Sequence, residues 1–120
     1  MLNSYKDLIV WQKSVEFVVE VYSLTDKFPK SEIYGLTSQM RRAAISIPSN
    51  ITEGYRRQGL GEYQQFLFIA NASASELETQ IIIAKRIYKH LDYSKVDSLL
   101  LEVIKMLNTL IFKIKGKRRK

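Results

Sequence analysis

Apolar residues recur every three or four positions in four long segments of the chain, a spacing that predicts α-helices. Three breaks separate these segments, at residues 27–31, 54–61 and 90–94. No stretch alternates apolar and polar residues as a half-buried strand would, and the sequence shows no internal repeat. Because short connections between long helices favour antiparallel neighbours, the pattern predicts an all-α protein with an antiparallel up-down four-helix bundle.

Each of the last three predicted helices carries one apolar stripe that can face a shared core. The small residues Ala70, Ser73 and Ala74 further predict that a neighbouring helix approaches the third helix closely. The predicted core positions are Leu36, Met40, Ala44, Ile47 and Ile51 in the second helix, Phe66, Ala70, Ala74, Leu77, Ile81, Ala84 and Tyr88 in the third, and Val96, Leu99, Leu100, Val103, Met106, Leu107, Leu110 and Ile114 in the fourth.

The first helix is apolar over about 200° of its circumference, about twice the arc that one bundle core needs. The third helix carries a second apolar group beside its core stripe. Since a monomer would leave this surface in water, the pattern predicts a homo-oligomer. The alternative is an irregular bundle in which these faces fold inward. The predicted interface residues are Val10, Trp11, Phe17, Val18, Val21, Ile69, Ile83 and Ile87.

The positive charge of the chain is concentrated at its carboxyl end. Lysine and arginine total 19 against 12 acidic residues, a net charge of +7. We divide the chain into a bundle domain, residues 1–112, which is nearly neutral, and a basic C-terminal tail, residues 113–120, which has no acid. Such a tail is attracted to nucleic acid or to an anionic membrane surface, and the alternative is a solvated end that aids solubility. The basic residues of the tail are Lys113, Lys115, Lys117, Arg118, Arg119 and Lys120.

The residue types that most catalytic and metal sites need are scarce. The chain has no cysteine and a single histidine, His90, so thiolate sites and multi-histidine sites are excluded. Ile87 stands three positions before His90, where the Glu-x-x-His motif of di-metal bundles needs a glutamate. No glycine-rich phosphate-binding motif occurs. The sequence predicts a protein that is not an enzyme and that uses no metal or cofactor.

Hydropathy and the amino-terminal residues indicate the cellular compartment in which we expect the protein. No segment reaches the ~18 consecutive apolar residues that a membrane-spanning helix needs. The first ten residues carry Lys6 and Asp7 and lack the small-residue cleavage site of a secretory signal. We therefore expect a cytoplasmic protein that has no membrane partner.

Two arginine pairs are the candidate phosphate contacts in the body of the bundle: Arg41 with Arg42, and Arg56 with Arg57. Arg42 and Arg56 share one helix face at a separation of about 21 Å, the rise of 14 residues. Arg41 and Arg42 have no acid three or four positions away, so we expect their charge to be freer. Glu53 precedes Arg57 by four residues, and a surface salt bridge is the alternative for that pair. The two arginine pairs and the basic residues of the tail are the predicted nucleic-acid-binding residues.

Residues 41–54, with the sequence RRAAISIPSNITEG, resemble the signature of a bacterial four-helix bundle family, the 23S rRNA-intervening-sequence proteins. Residues 5–13, 28–29 with 34–39, and 76–79 are similar to the opening, the first turn with the second-helix start, and the third-helix motif of that family. The resemblance covers residues 5–112. Pro48 is predicted to lie inside the second helix, where it leaves the Ala44 carbonyl without its usual partner. We expect a kink or a compensating polar contact there, with Ser49, Asn50 or Thr52 as candidates.

The resemblance implies an antiparallel four-helix bundle that assembles as a ring-like homopentamer. Some members of the family are encoded within insertions in large-subunit rRNA genes. Relatives serve as the accessory variability protein of diversity-generating retroelements, where they bind a reverse transcriptase and its RNA or DNA through a basic surface. The resemblance therefore implies a nucleic-acid-binding oligomer, with a reverse transcriptase as its partner in the retroelement context; it does not distinguish that context from an rRNA insertion. The alternatives are a structural protein–protein interaction module without a nucleic-acid role, and a membrane-surface protein attached by its tail.

Overall fold

Four α-helices make up most of the chain in the computed structural model, which describes residues 4–119. The helices are α1 (Ile9–Thr25), α2 (Leu36–Tyr55), α3 (Leu60–Ile87) and α4 (Ser94–Arg118). Two single-turn 3-10 helices, η1 (Tyr5–Asp7) and η2 (Lys30–Glu32), precede α1 and α2. Residues 4–119 contain no β-strand, which confirms the predicted all-α class.

Each helix packs against two others around a square. The helix α1 contacts α2 and α4, and α3 also contacts α2 and α4, whereas within residues 4–119 the diagonal helices do not approach each other. With short connections, successive helices run antiparallel in a bundle of 50 × 21 × 19 Å. The amino ends of α1 and α3 and the carboxyl ends of α2 and α4 therefore share one end of the bundle. The predicted up-down arrangement is confirmed.

The core lies along the predicted stripes, with one shift of position in α3. The predicted core residues Leu36, Tyr88, Met106 and Leu110 are partly buried and pack against the edge of the core. Met40, Ile47 and Ile51 of α2 are completely buried, as predicted. In α3, Leu67 is completely buried, whereas the predicted core residue Phe66 is only partly buried. The reason is that α3 packs against both α2 and α4, so its buried arc extends to the side on which Leu67 lies.

The helices α2 and α3 make the most extensive contact of the bundle. The hydroxyl oxygens of Ser46 and Ser73 meet there at 2.9 Å, in agreement with the predicted close approach. Gly54 belongs to this interface, because an added Cβ would lie 2.8 Å from the Cβ of Phe66. The prediction that residues 54–61 form a break is therefore wrong at its start. Gly54 is helical and buried, and its small size serves packing.

Pro48 lies inside α2, which continues without interruption from Leu36 to Tyr55 as predicted. The side-chain amide of Asn50 donates hydrogen bonds to the carbonyl oxygen of Ser46 at 2.7 Å and to its hydroxyl at 2.9 Å. Asn50 was one of the candidates for a compensating contact. The contact is made to Ser46, two positions from the carbonyl that Pro48 leaves without an N–H partner.

The helix α4 extends through Arg118, so most of the predicted tail is helical. Ile114, within that segment, is buried in the core with 2% of its surface exposed. The division after residue 112 therefore falls inside a helix, because the fourth core stripe does not end there. Lys120 lies outside the described residues.

Three of the predicted interface residues belong to the core of a single chain. Phe17 and Val21 are completely buried, and Val10 is buried as well, so these side chains offer no surface to a second copy. Trp11 and Val18 are partly buried and pack against the same core. The apolar arc of α1 is wide because α2, α4 and η1 all pack against this helix. Most of the apolar arc of α1 therefore faces inward, as the alternative to an oligomer interface had it.

The predicted interface residues on α3 lie on the surface. Ile69, Ile83 and Ile87 are 41%, 44% and 56% exposed. They follow the outer face of the helix, away from its buried stripe. This apolar face of α3 is available for contact with another molecule.

Candidate nucleic-acid interface

One end of the bundle collects most of the predicted nucleic-acid-binding residues. We call it the basic end, and it comprises the carboxyl ends of α2 and α4 with the amino end of α3. No acidic residue follows Glu102 in the chain. Cations in the last turn of α4 are also stabilised by the partial negative charge of the helix carboxyl terminus. The predicted residues at this end are Arg56, Arg57, Lys113, Lys115, Lys117, Arg118 and Arg119.

Arg118 is held in place by the first turns of α3. Its guanidinium Nη1 donates a hydrogen bond to the side-chain Oε1 of Gln64. Gln64 is only 5% exposed, so this bond satisfies an amide oxygen that solvent hardly reaches. The contact joins the end of α4 to α3 and so holds in place the helical backbone that carries the neighbouring lysine and arginine residues.

A groove of about 370 Å³ runs between α3 and α4 at the basic end. Gln64, Phe68, Lys115, Arg118 and Arg119 line it. Sequence reasoning missed Gln64 and Phe68, because neither lies on an apolar core stripe nor carries charge. For Phe68 a signal was present, since a large aromatic residue outside the core stripe of an amphipathic helix calls for a surface role.

The charge of Arg57 is largely neutralised. Its guanidinium lies 3.5 Å from the Glu53 carboxylate and 3.8 Å from that of Glu62, and it stacks over the Phe66 ring at 4.9 Å from the centroid. The salt bridge with Glu53, considered above as the alternative for this residue, is confirmed. Arg57 is therefore a weaker candidate for phosphate contact than its neighbours.

Arg56 keeps its charge available. Its guanidinium lies 5.2 Å from the centroid of the Tyr5 ring, an interaction that leaves the positive charge uncompensated. Within residues 4–119 Arg56 forms no ion pair, and its side chain is exposed. Of the two arginines at the end of α2, Arg56 is the one suited to bind an anion.

Arg41 is a structural residue, and the expectation that its charge is free is wrong. Its Nε donates a hydrogen bond of 2.8 Å to the Thr25 hydroxyl, and its Nη2 lies 3.5 Å from the Tyr22 carbonyl oxygen. The Asp26 carboxylate is 3.9 Å away, and the Tyr22 ring lies under the guanidinium at 4.3 Å. The acid was missed because it caps the carboxyl end of α1, whereas the expectation considered only neighbours along α2.

Arg42 lies outside the basic end. It is exposed, and within the described part of the chain it forms no ion pair or hydrogen bond, in agreement with the expected free charge. It lines a polar groove of about 500 Å³ between α2 and α3, together with Glu76 and Tyr34. The rise of 14 helical residues, about 21 Å, separates Arg42 from Arg56. The two arginine pairs therefore do not form one continuous site with the tail.

Burial raises the pKa of one tyrosine, Tyr63, at this end of the bundle. Loss of hydration raises the pKa of Tyr63 from 10.0 to about 12, and the nearby Tyr55 adds to the effect. The two rings pack edge to face with their centroids 6.0 Å apart. This phenol is neutral at physiological pH and contributes no charge to the interface.

Residues 4–119 contain no group of three or more histidine, cysteine, aspartate or glutamate side chains placed to hold a metal ion. None of their helices is long and apolar enough to cross a membrane.

The structure defines a four-helix bundle with a positively charged end. The chain belongs to the 23S rRNA-intervening sequence protein family, whose family model matches residues 6–109. It is similar to the crystal structure of a protein of unknown function from the S23 ribosomal protein family of Bacteroides thetaiotaomicron. The two are 25% identical, with a TM-score of 0.78 over 86% of this chain and 95% of the other. A comparison with curated proteins finds no match.

Proposed function

We propose that this protein is a non-enzymatic bundle that binds RNA or DNA through the phosphate groups that face its basic end. The observation that carries the proposal is that the carboxyl end of α4, with Lys115, Lys117, Arg118 and Arg119, and the carboxyl end of α2, with Arg56, lie at the same end of the bundle. Phosphate attraction of this kind supplies most of the affinity in binding without sequence preference. The family name, which refers to 23S rRNA, supports a role with RNA.

Recognition in this proposal depends on charge and shape. Lysine and arginine contacts to phosphates orient a nucleic acid but do not distinguish its bases. Arg118 is anchored by Gln64, so it presents its remaining N–H groups in a set direction. We expect weak sequence preference and a steep salt dependence, with a log–log slope of about −0.7 to −0.9 for each phosphate neutralised.

Self-association is part of the same proposal. Exposed Ile69, Ile83 and Ile87 on α3 supply an apolar face that a second copy can cover. The family resemblance implies five copies, which would repeat the basic end around one axis. Linked weak contacts then raise the overall affinity without new chemistry. A reverse transcriptase is the protein partner that the resemblance implies for such an assembly.

The competing function is a structural protein–protein interaction module without a nucleic-acid role. The same three exposed isoleucines favour it, because an apolar face serves any protein partner. Nucleic-acid binding separates the two functions, since an interaction module has no need of the basic end.

The test is a titration of labelled RNA and DNA at several salt concentrations. Replacing Lys115, Lys117 and Arg119 together by alanine is expected to weaken binding and to reduce the salt slope by about 0.7–0.9 for each lost phosphate contact. The matched control replaces Arg86, Lys89 and Lys95, three exposed bases at the opposite end, and should bind as wild type does. Absence of wild-type binding at low salt, or equal loss in both variants, would overturn the proposal.

Light scattering tests the assembly. A mass of several subunits is expected for the wild type, and Ile83→Glu should reduce it because the charge enters an apolar contact. Leu101→Glu on α4, which is also exposed, is the matched control and should keep the wild-type mass. A monomeric wild type, or equal masses for wild type and the Ile83 variant, would contradict assembly through α3.

A further inference from the structure

We propose that Phe112 and Phe68 form a stacking surface for unpaired bases beside the basic end, so that the protein prefers single-stranded to duplex nucleic acid. This inference rests on the proposed function, because the cations at the basic end must first hold the strand. Stacking contributes affinity that does not depend on salt, and the phosphate contacts do not supply it.

The two rings are exposed where the fold gives no structural reason for exposure. Phe112 is 76% exposed and Phe68 is 48% exposed, and neither belongs to the buried core. Both lie on helices whose core stripes are filled by other residues, such as Leu67 and Leu107. Neighbouring apolar side chains that together remain in water mark contact sites on soluble proteins.

The register of the antiparallel helices α3 and α4 places the two rings at the same level. Two side-chain contacts set this register, one between Gln64 and Arg118 and one between Asn71 and Asn108, whose amide nitrogen and oxygen lie 3.4 Å apart. Phe68 lies between the two contacts on α3, and Phe112 lies between them on α4.

Positive side chains flank the rings on one side. Lys115 and Arg119 follow Phe112 by about one and two helical turns, about 4.5 and 10.5 Å along the axis. Phe68, Lys115, Arg118 and Arg119 line the same groove. A base stacked on Phe112 would therefore have its neighbouring phosphates within reach of cations. Proteins that bind single strands combine a positively charged groove, which contacts the phosphates, with aromatic side chains on which the bases stack.

Charge selects a nucleic acid as the occupant of this surface. A second copy of the chain placed symmetrically here would bring two groups of uncompensated cations together, which is unfavourable. Duplex nucleic acid satisfies the cations, but its base faces are covered by neighbouring base pairs and cannot stack on the rings. A single strand satisfies both features, because its phosphates meet the cations and its bases expose their faces.

The experiment compares single-stranded RNA and DNA oligonucleotides with duplexes of equal length. Phe112→Ala and Phe68→Ala are expected to weaken single-strand binding by about fivefold to a hundredfold each, the range measured for stacking on one aromatic ring. Duplex binding should change little, and the salt slope should stay at the wild-type value. Tyr34→Ala is the matched control, since Tyr34 is the most exposed aromatic residue described and lies away from the basic end.

Two further substitutions separate stacking from simple apolar contact. Phe112→Trp keeps an aromatic face and should retain the wild-type affinity, whereas Phe112→Leu keeps apolar bulk and should lose it. Because Phe112 is largely exposed, these variants should fold with wild-type circular dichroism spectra. Wild-type affinity in the leucine variant would overturn the inference.

Two other outcomes would give Phe112 a different role and would also overturn the inference. One is a lower mass of Phe112→Ala in light scattering, which would make the ring an oligomer contact. Another is loss of binding to anionic phosphatidylglycerol vesicles with unchanged single-strand affinity, which would make it a membrane contact. If the wild type binds nucleic acid and the phenylalanine variants bind equally well, only the stacking surface fails. If the wild type binds no nucleic acid, the proposed function fails as well.

Discussion

Arg118 and Gln64 are 54 positions apart in the sequence and are joined by a hydrogen bond from guanidinium to side-chain amide. The bond connects the last turn of α4 with the first turns of α3. Lys115 lies in α4 and Arg119 caps its carboxyl end, so their backbone is held by the helix. A flexible tail would have to lose backbone conformational entropy on binding, whereas the backbone of this segment is already helical.

Ile114 ties the basic segment to the core. We expect Ile114→Ala to lower the free energy of unfolding by about 2–5 kcal/mol, the range for truncating a buried isoleucine. Urea denaturation measures this change. The neighbouring control is Lys113→Ala at an exposed position, whose free energy of unfolding should lie within about 0.5 kcal/mol of wild type. An unchanged midpoint for Ile114→Ala would mean that the end of α4 does not contribute to the core. Deletion of residues 113–120 would remove charge and core packing together, so substitutions are the better test of binding.

Arg41 and Arg42 are adjacent in sequence but are expected to respond oppositely to substitution. Arg41→Ala should lower the free energy of unfolding by about 1–2 kcal/mol, because it removes hydrogen bonds to α1 from a largely covered guanidinium. Arg42→Ala should leave stability within about 0.5 kcal/mol of wild type, because this side chain is exposed. Thermal or urea unfolding of both variants measures the difference. Equal stabilities would show that the contacts of Arg41 contribute nothing net.

Pro48 is expected to cost stability in its present position. Pro48→Ala restores an N–H donor for the Ala44 carbonyl and should raise the free energy of unfolding by about 1–2 kcal/mol. This is less than the ~3 kcal/mol helix penalty of proline, because the unfolded chain also gains freedom. Urea denaturation provides the measurement. A less stable variant would indicate that the proline ring is needed for packing in α2.

Tyrosine ionisation is expected to destabilise the protein at high pH. The pKa of Tyr63 is raised from 10.0 to about 12 by burial, so the folded state retains a proton that the unfolded state loses. The contribution is complete below pH 10.0 and is lost as the pH rises towards 12. The loss of stability across that interval should be smaller in Tyr63→Phe, as measured by urea midpoints at several pH values. Exposed Tyr34→Phe is the control, and an equal pH dependence of both variants and the wild type would contradict the effect.

Other tyrosines act in the same direction at the opposite end of the bundle. Burial raises the pKa of Tyr93, whose single hydroxyl hydrogen is shared between the carbonyl oxygens of Ala84 and Tyr88, at 3.0 and 2.9 Å, at the end of α3. A hydrogen bond of 2.5 Å to the Glu32 carboxylate raises the pKa of Tyr88. Both hydroxyls must lose their proton before these contacts fail, so they also favour the folded state up to high pH.

The helix pattern was readable from sequence because burial on one helix face depends on residue spacing alone. Met40, Ile47 and Ile51 recur with that spacing and are buried. The salt bridge between Glu53 and Arg57 was likewise accessible, since both residues lie on one helix four positions apart. The family assignment followed from a contiguous segment, residues 41–54, which needs no tertiary information.

The roles of the individual basic and apolar side chains depended on contacts between helices, which sequence spacing does not contain. Whether Arg41 is free is decided by Thr25 and Asp26 at the carboxyl end of α1, and whether Phe17 faces a partner is decided by the helices packed around α1. The sequence by itself determined four helices, their stripes and a positive carboxyl end. Only the tertiary structure decided that this end is helical, that Gln64 anchors it, and that Phe68 and Phe112 lie beside it, because the register of antiparallel helices brings together residues distant in the chain.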